Sequence, residues 1–217
     1  MSLGRRATLL VVGCVARTAF AAAPCGFRDY FERSVKKDDN GIHKWLHYFA
    51  AYEREFGEWC AKGAGPIRMM EMGIQSGGSC KMWLNCFGAN LDLLVGVDIN
   101  PDVKQWESFG PKIKVEIASQ ADPELWQRLR RTYGGFDVIL DDGSHQSAHM
   151  LASFKHGFDL VKPGGVYVIE DITQENTAAV VGRFRKEAIT VNNEPPSRHI
   201  VHGSTALLTH FTHCTGL

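Results

Sequence analysis

The sequence predicts an α/β fold with a doubly wound, mainly parallel sheet, preceded by an N-terminal helical extension. Three observations predict it. From Ile67 onward, short apolar runs of strand length recur and are nearly continuous rather than alternating, as strands covered on both faces must be. Helix-like segments such as "DPELWQRLRRTYG" separate several of them, the rhythm of parallel strands joined by crossovers. Each run ends in a polar cluster, where open parallel sheets bind their ligands.

The N-terminal end differs from everything after it. Residues 1–27 carry Arg5, Arg6 and Arg17 and no acid, with the apolar run "ATLLVVGCVA" and then the small-residue stretch "AFAAAP". This composition predicts a targeting segment of the secretory or organellar kind. Arg17 and Pro24 keep a transit peptide or signal anchor in competition with a secretory signal, and a frayed terminus remains the plain alternative. The run is too short to predict a membrane span, so none is expected in the mature domain. Residues 28–65 read as a helical cap or extension. Between Gly41 and Cys60, Trp45, Leu46, Tyr48, Phe49, Tyr52 and Phe56 recur at threes and fours, predicting an amphipathic helix packed on the sheet. A second reading has His43, Trp45 or Tyr48 capping a ligand pocket.

Residues 66–217 form the main domain. Its strands are expected at "IRMMEMGI" (67–74), "LLVGVDI" (93–99), "IKVEIAS" (113–119), "FDVILDD" (136–142) and "GVYVIEDI" (165–172). Beyond Ile172, "TQENTAAVVGRFRKEA" reads as a helix, with "HIVHG" and "ALLTHF" as short strands. At 217 residues with 44% hydrophobic and 22% charged content, the chain suffices for one substantial core. Lys plus Arg equals Asp plus Glu at 24 each, so no overall field favours nucleic acid, and none is expected as a partner. The six cysteines (Cys14, Cys25, Cys60, Cys80, Cys86 and Cys214) show no metal-finger or CxxC spacing. Cys80 and Cys86 read as small packing residues rather than a disulfide. A homo-oligomer is compatible with this composition.

The first strand runs into Gly73, Ser76, Gly77 and Gly78, a turn without side chains that invites close approach to the backbone. The second strand closes on Asp98, where a carboxylate can accept ribose hydroxyls of either a nicotinamide dinucleotide or S-adenosylmethionine. The dinucleotide pattern G-x-G-x-x-G is broken, because Gln75 stands where its second glycine belongs. Glu71, just inside the first strand, suits an ammonium-bearing methionine end better than a phosphate. Gln120 follows the third strand, and Asp141 with Asp142 closes the fourth.

Glu71, Gly73, Gly77, Gly78 and Asp98 resemble the pattern of class I S-adenosylmethionine-dependent methyltransferases, with the departure at Gln75. The resemblance spans roughly Arg68 to Ile172. Within it, "GGSCKMW", "GVDINP", "DVILDDGSHQ" and "LVKPGGVYVIEDI" look most like the metal-dependent sugar O-methyltransferases that act on macrolides. The resemblance implies a Rossmann-like methyltransferase fold, S-adenosyl-L-methionine as cofactor, and a hydroxylated small molecule as acceptor. Glu71, Gly73, Ser76, Gly77, Gly78, Asp98, Gln120 and Asp141 would line the cofactor side, Gln120 near the adenine.

Asp142, Glu170 and Asp171 sit at the ends of neighbouring strands, where three carboxylates repel unless a cation lies among them. Oxygen ligands favour a hard ion, Mg²⁺. Consecutive strand residues face opposite ways, so Glu170 and Asp171 can both ligate only if the strand has ended. The resemblance gives His145 the role of general base, with His149 and His156 expected on the surface of the next helix. Two other readings stand beside it. One is a nicotinamide-dependent oxidoreductase. The other is a non-catalytic methyltransferase-like binding module, suggested by the short stretch from Thr173 to Leu217 left to complete the sheet.

Overall fold

The computed structural model describes residues 8–13, 25–35, 41–61, 64–172 and 206–208. The chain divides into two compact units, one of Arg17–Ser119 and one of Met1–Ala16 with Gln120–Leu217.

In the unit Arg17–Ser119, helices α1 (Phe27–Val35) and α2 (Tyr48–Cys60) precede strand β2 (Ile67–Met72), helix α3 (Gly78–Phe87), strand β3 (Leu91–Asp98), a 3₁₀ helix (Pro101–Phe109) and strand β4 (Ile113–Ile117). β2 pairs parallel with β3, placing Glu71 beside Gly96, and β3 pairs parallel with β4. Helix α2 starts only at Tyr48. Tyr48, Phe49, Tyr52 and Phe56 are buried, whereas Trp45 and Leu46 precede the helix and are exposed. The apolar face is thus narrower than the spacing predicts, because helical periodicity carries no information about a residue before the first turn. Phe27, Tyr52 and Phe56 meet Trp83 edge-on with ring centroids at 5.4, 5.3 and 5.9 Å, and this cluster seats α1 and α2 on α3. Glu53 accepts from the Cys25 and Phe27 amides, occupying donors that the start of α1 leaves without helical partners. A Cys25–Cys60 disulfide, with Cα atoms 5.3 Å apart, ties the start of α1 to the end of α2. Cys80 and Cys86 are free thiols, as their packing role predicts.

In the other unit, strand β5 (Phe136–Asp141) pairs parallel with β6 (Val161–Ile172). Helices α4 (Pro123–Tyr133) and α5 (Ser147–Gly157) flank the run into β5 and the run out of it. The sequence of α4 explains its ends. Asp122 caps it by accepting from the Glu124 amide, Pro123 occupies the first turn, Arg130 and Arg131 lie in the last, and Gly134 stops it at φ +72°. Leu125, Trp126 and Leu129 form its buried face.

One strand falls where the sequence predicts something else, and another falls within the predicted "ALLTHF". Thr8–Gly13, within the apolar run read as targeting material, forms strand β1 and pairs antiparallel with β6. Ala206–Leu208 forms β7, which pairs parallel with β1. The antiparallel partner of β6 therefore comes from the start of the chain and not from the stretch after Thr173. The exposed amides and carbonyls of a long strand accept any extended apolar segment within reach, whatever its place in sequence. The expected helix over "TQENTAAVVGRFRKEA" and the strand "HIVHG" lie outside the described residues. No helix among the described residues is long and apolar enough to cross a membrane.

Candidate cofactor turn and carboxylate cluster

The turn after β2 is built around Asp98. Its Oδ2 accepts from the Ile74 and Gln75 amides at 3.1 and 3.0 Å, and its Oδ1 accepts from the Asn100 amide at 2.9 Å. A carboxylate offers about four lone-pair positions, so one remains, on Oδ1. The expectation that Asp98 takes both ribose hydroxyls narrows to one hydroxyl, because the other oxygen is committed to the turn. Gly73 (φ +82°) and Gly77 (φ +76°) adopt the left-handed conformations that glycine allows, and Gly77 opens α3 with Gly78 as its first residue. Gln75, the departure from the glycine pattern, still adopts φ +35°.

What approaches the bare Gly77 in this structure is an indole. A Cβ on Gly77 would lie 2.8 Å from Trp106 Cδ2 and 3.0 Å from Phe109, two stacked rings of the 3₁₀ helix, and Trp106 Nε1 donates to the Gln75 carbonyl at 2.9 Å. Nothing in the sequence around Trp106 signals this.

Glu71 also differs from expectation. Its side chain is fully buried, and the ammonium it meets is its own chain's: Lys44 Nζ lies 3.2 Å from Oε1. Oε2 accepts from Ser79 Oγ at 2.8 Å and Trp83 Nε1 at 2.9 Å. Ser76, placed on the cofactor side, donates from Oγ to the Gly41 carbonyl at 2.6 Å.

In the other unit, the loop after β5 and the end of β6 bring three predicted residues together. One ligating atom from each of Asp142, His145 and Asp171 lies within 4.8 Å of the others. His145 Nε2 is 3.9 Å from Asp142 Oδ1 and 3.8 Å from Asp171 Oδ2. Two of these residues have left-handed backbones, His145 at φ +57° and Asp171 at φ +54°, conformations that cost an ordinary residue about 1 kcal/mol and gather where function holds them. β6 continues to Ile172, so the strand has not ended at Glu170. Glu170 stays buried and outside the cluster, while Asp171 joins it through its left-handed backbone. The two carboxylates at this separation offer oxygen ligands that fit one hard cation, with water or acceptor oxygens completing its shell and the imidazole beside them. His149 lies in the first turn of α5, its Nδ1 2.9 Å from Ser144 Oγ, and His156 lies in the last turn, both half-buried.

Gln120 and Asp141 hold that loop from beneath. Gln120 Nε2 donates to Asp141 Oδ1 and Oδ2 at 2.8 and 3.0 Å, and Gln120 Oε1 accepts from the Ser144 amide at 2.7 Å. Asp141 also accepts from Ser153 Oγ and, at 3.3 Å, from the Gly143 amide. Burial pushes the Asp141 carboxyl up to about 6, against the lowering effect of these donors. Both residues were expected on the cofactor side. The structure makes them internal braces, because a buried amide and a buried carboxylate take the partners nearest to hand. Any side chain at Gly143 would overlap the Gln120 amide. Ser153, unremarkable as a helix serine in the sequence, is the residue of this network that spacing alone does not reveal.

Parallel strands flanked by helices, a glycine turn tied to the acid closing the next strand, and a carboxylate–imidazole cluster after the fourth parallel strand define a class of fold, the Rossmann-like methyltransferase fold. Residues 70–172 match the family described as "Methyltransferase domain". The chain is 32% identical over 160 residues to the 8-demethyl-8-α-L-rhamnosyl tetracenomycin-C 2'-O-methyltransferase of Streptomyces olivaceus, covering 70% of this chain and 40% of that protein. It is 37% identical over 139 residues to the demethylmacrocin O-methyltransferase of Streptomyces fradiae, covering 59% and 33%. Among solved structures it resembles the MycE methyltransferase in complex with Mg, SAH and mycinamycin VI, at TM-score 0.60 and 27% identity over 75% of this chain and 48% of that one. The chain thus spans less than half the length of these relatives. The resemblance to class I sugar O-methyltransferases holds, and the nicotinamide oxidoreductase and non-catalytic readings find no support in it.

Proposed function

We propose that the chain is an S-adenosylmethionine-dependent O-methyltransferase that acts, with Mg²⁺, on a hydroxyl of a sugar-like or polyhydroxylated small molecule. The observation that carries this reading is the convergence of Asp142, His145 and Asp171 on one point. Asp142 and Asp171 would hold the ion, which when bound lowers the pKa of a coordinated hydroxyl. His145, 39% exposed and within 4 Å of both carboxylates, accepts the hydroxyl proton at Nε2 as the oxygen takes the methyl group from sulfonium in line. The two carboxylates stabilise the imidazolium that results. Asp98 orients one ribose hydroxyl through Oδ1, and Gly73, Gly77 and Gly78 keep the turn free of side chains of their own.

The Cys25–Cys60 bridge supports a route through an oxidising compartment, as does the arginine-bearing, acid-free N-terminal segment. Removal of that segment would take β1 with it.

Isothermal titration with S-adenosylmethionine, with and without Mg²⁺, tests the reading on wild type and Asp98→Ala. Binding that the substitution abolishes supports it, and a hydroxylated-acceptor screen with His145→Ala as control then tests transfer. A folded protein that binds no S-adenosylmethionine would sink it.

A further inference from the structure

The segment Gly41–His47 lies upstream of the matched residues 70–172, yet it is fastened at one point to the cofactor turn and at another to the strand that leads into it. Above, the Gly41 carbonyl accepts from Ser76 Oγ at 2.6 Å, within the turn itself. Below, Lys44 Nζ lies 3.2 Å from Glu71 Oε1, with Lys44 2% exposed and Glu71 0%. The other oxygen of Glu71 takes Ser79 Oγ and Trp83 Nε1, both on α3, the helix that the turn opens. One carboxylate therefore joins three elements: the upstream segment, β2 and the first two turns of α3.

An ion pair withdrawn this far from water is a poor source of stability. Desolvation of the two charges offsets most of their attraction, and a neutral pair of similar shape is often as stable, whereas removal of one partner takes from the other a charge that offsets its burial. What the charged pair supplies is direction, since each partner restricts where the other can sit. Ser79 and Trp83 then transmit that direction to α3, and Ser76 ties the same segment to the turn.

Resting on the S-adenosylmethionine reading above, we propose that Lys44 is a positioning residue of the cofactor site, and that Gly41–Lys44 is a strap holding the Ser76–Ser79 turn in its binding geometry. Lys44 acts through Glu71 and does not touch the cofactor. The upstream helical extension is by this account a working part of the cofactor site and not only a cover for the sheet.

The test is titration with S-adenosylhomocysteine, alongside thermal unfolding, of the full chain and of Lys44→Met, Lys44→Met/Glu71→Gln and Ser76→Ala. The proposal expects Lys44→Met to lose both affinity and Tm. In the double variant Tm returns toward wild type while affinity stays about tenfold down, a loss near 1.4 kcal/mol. Ser76→Ala, which cannot leave a buried charge, should weaken affinity several-fold with Tm nearly unchanged. A double variant that binds as tightly as wild type would reduce Lys44 to charge neutralisation and overturn the proposal. So would wild-type affinity in Ser76→Ala and Lys44→Met together. Should Lys44→Met fail to fold, the double and Ser76→Ala variants decide alone. Failure of the wild-type protein to bind overturns the functional reading and this proposal with it; binding that is indifferent to the variants overturns this proposal only.

Discussion

Asp98 and Gln75, 23 residues apart, meet through a side-chain-to-backbone hydrogen bond: Oδ2 accepts from the Gln75 amide at 3.0 Å, beside the Ile74 amide at 3.1 Å. The acid that closes β3 thus shapes the turn that follows β2. Asp98→Asn retains an acceptor but turns one oxygen into a donor and removes the charge. It is expected to weaken S-adenosylhomocysteine binding by about tenfold to a hundredfold, since hydrogen bonds to a charged group contribute about 1.5–3 kcal/mol. Titration calorimetry checks this, and unchanged affinity would deny Asp98 its place in the site.

Gly77 is enforced by a neighbour as well as by its own backbone. Gly77→Ala would place a methyl group 2.8 Å from the Trp106 ring at φ +76°. A loss of about 1–3 kcal/mol in unfolding free energy is expected from overpacking and the left-handed strain together. Adding Trp106→Ala should return the overpacking part and leave the backbone part, which denaturant titration of the three proteins would separate.

Gln120 braces the loop after β5 through Asp141 and the Ser144 amide. Gln120→Ala removes two donor bonds from the buried Asp141 carboxylate, which keeps Ser153 and the Gly143 amide, and takes the acceptor from the Ser144 amide, at a cost of about 1–3 kcal/mol in all. The prediction is a clear fall in Tm even without ligand. A variant with wild-type Tm and reduced S-adenosylmethionine affinity would instead restore Gln120 to the adenine.

The carboxylate cluster predicts a division of labour. Asp142→Asn and Asp171→Asn should each weaken Mg²⁺ binding, read with Mn²⁺ as a paramagnetic probe. His145→Gln should leave most of that binding and remove about 10²–10⁴-fold of turnover on any accepted substrate. Metal affinity lost equally in all three would make His145 a ligand and leave the base to be found elsewhere.

The cysteines separate by chemistry. Reduction of Cys25–Cys60, which closes a separation of 35 residues, is expected to cost roughly 3–4 kcal/mol on chain-entropy grounds. Burial pushes the Cys86 thiol up to about 12 and raises Cys80 further. At pH 8 the native protein should therefore be nearly inert to iodoacetamide at both, with reactivity rising only as pH approaches 12 or as the chain unfolds. Among the described cysteines, mass spectrometry after labelling, with and without denaturant, distinguishes the bridged Cys25 and Cys60 from the free Cys80 and Cys86.

The five parallel strands were legible because a strand covered on both faces must be apolar almost throughout, and "FDVILDD" or "LLVGVDI" has few other ways to be buried. The cluster of Asp142, His145 and Asp171 was legible for a related reason: parallel strands deliver their carboxyl ends to one edge, so polar residues there gather without needing to be neighbours in sequence. Glu170 marks the limit of that reasoning, since alternation along β6 and one left-handed residue at Asp171 decide which of two adjacent acids joins the cluster.

By itself the sequence determined which residues are apolar, where glycine permits a turn, and which strand ends carry acids, and those suffice for the fold class and for proposing the chemistry. Only the tertiary structure decided who meets whom. Glu71 met Lys44, Gln120 met Asp141, Trp106 covered Gly77, and β1 took the open side of β6. Each of these is a partnership between segments far apart in the chain. Burial forces a polar group to find a partner and a strand edge to be covered, but it does so by proximity in space, which periodicity and spacing along one chain do not encode.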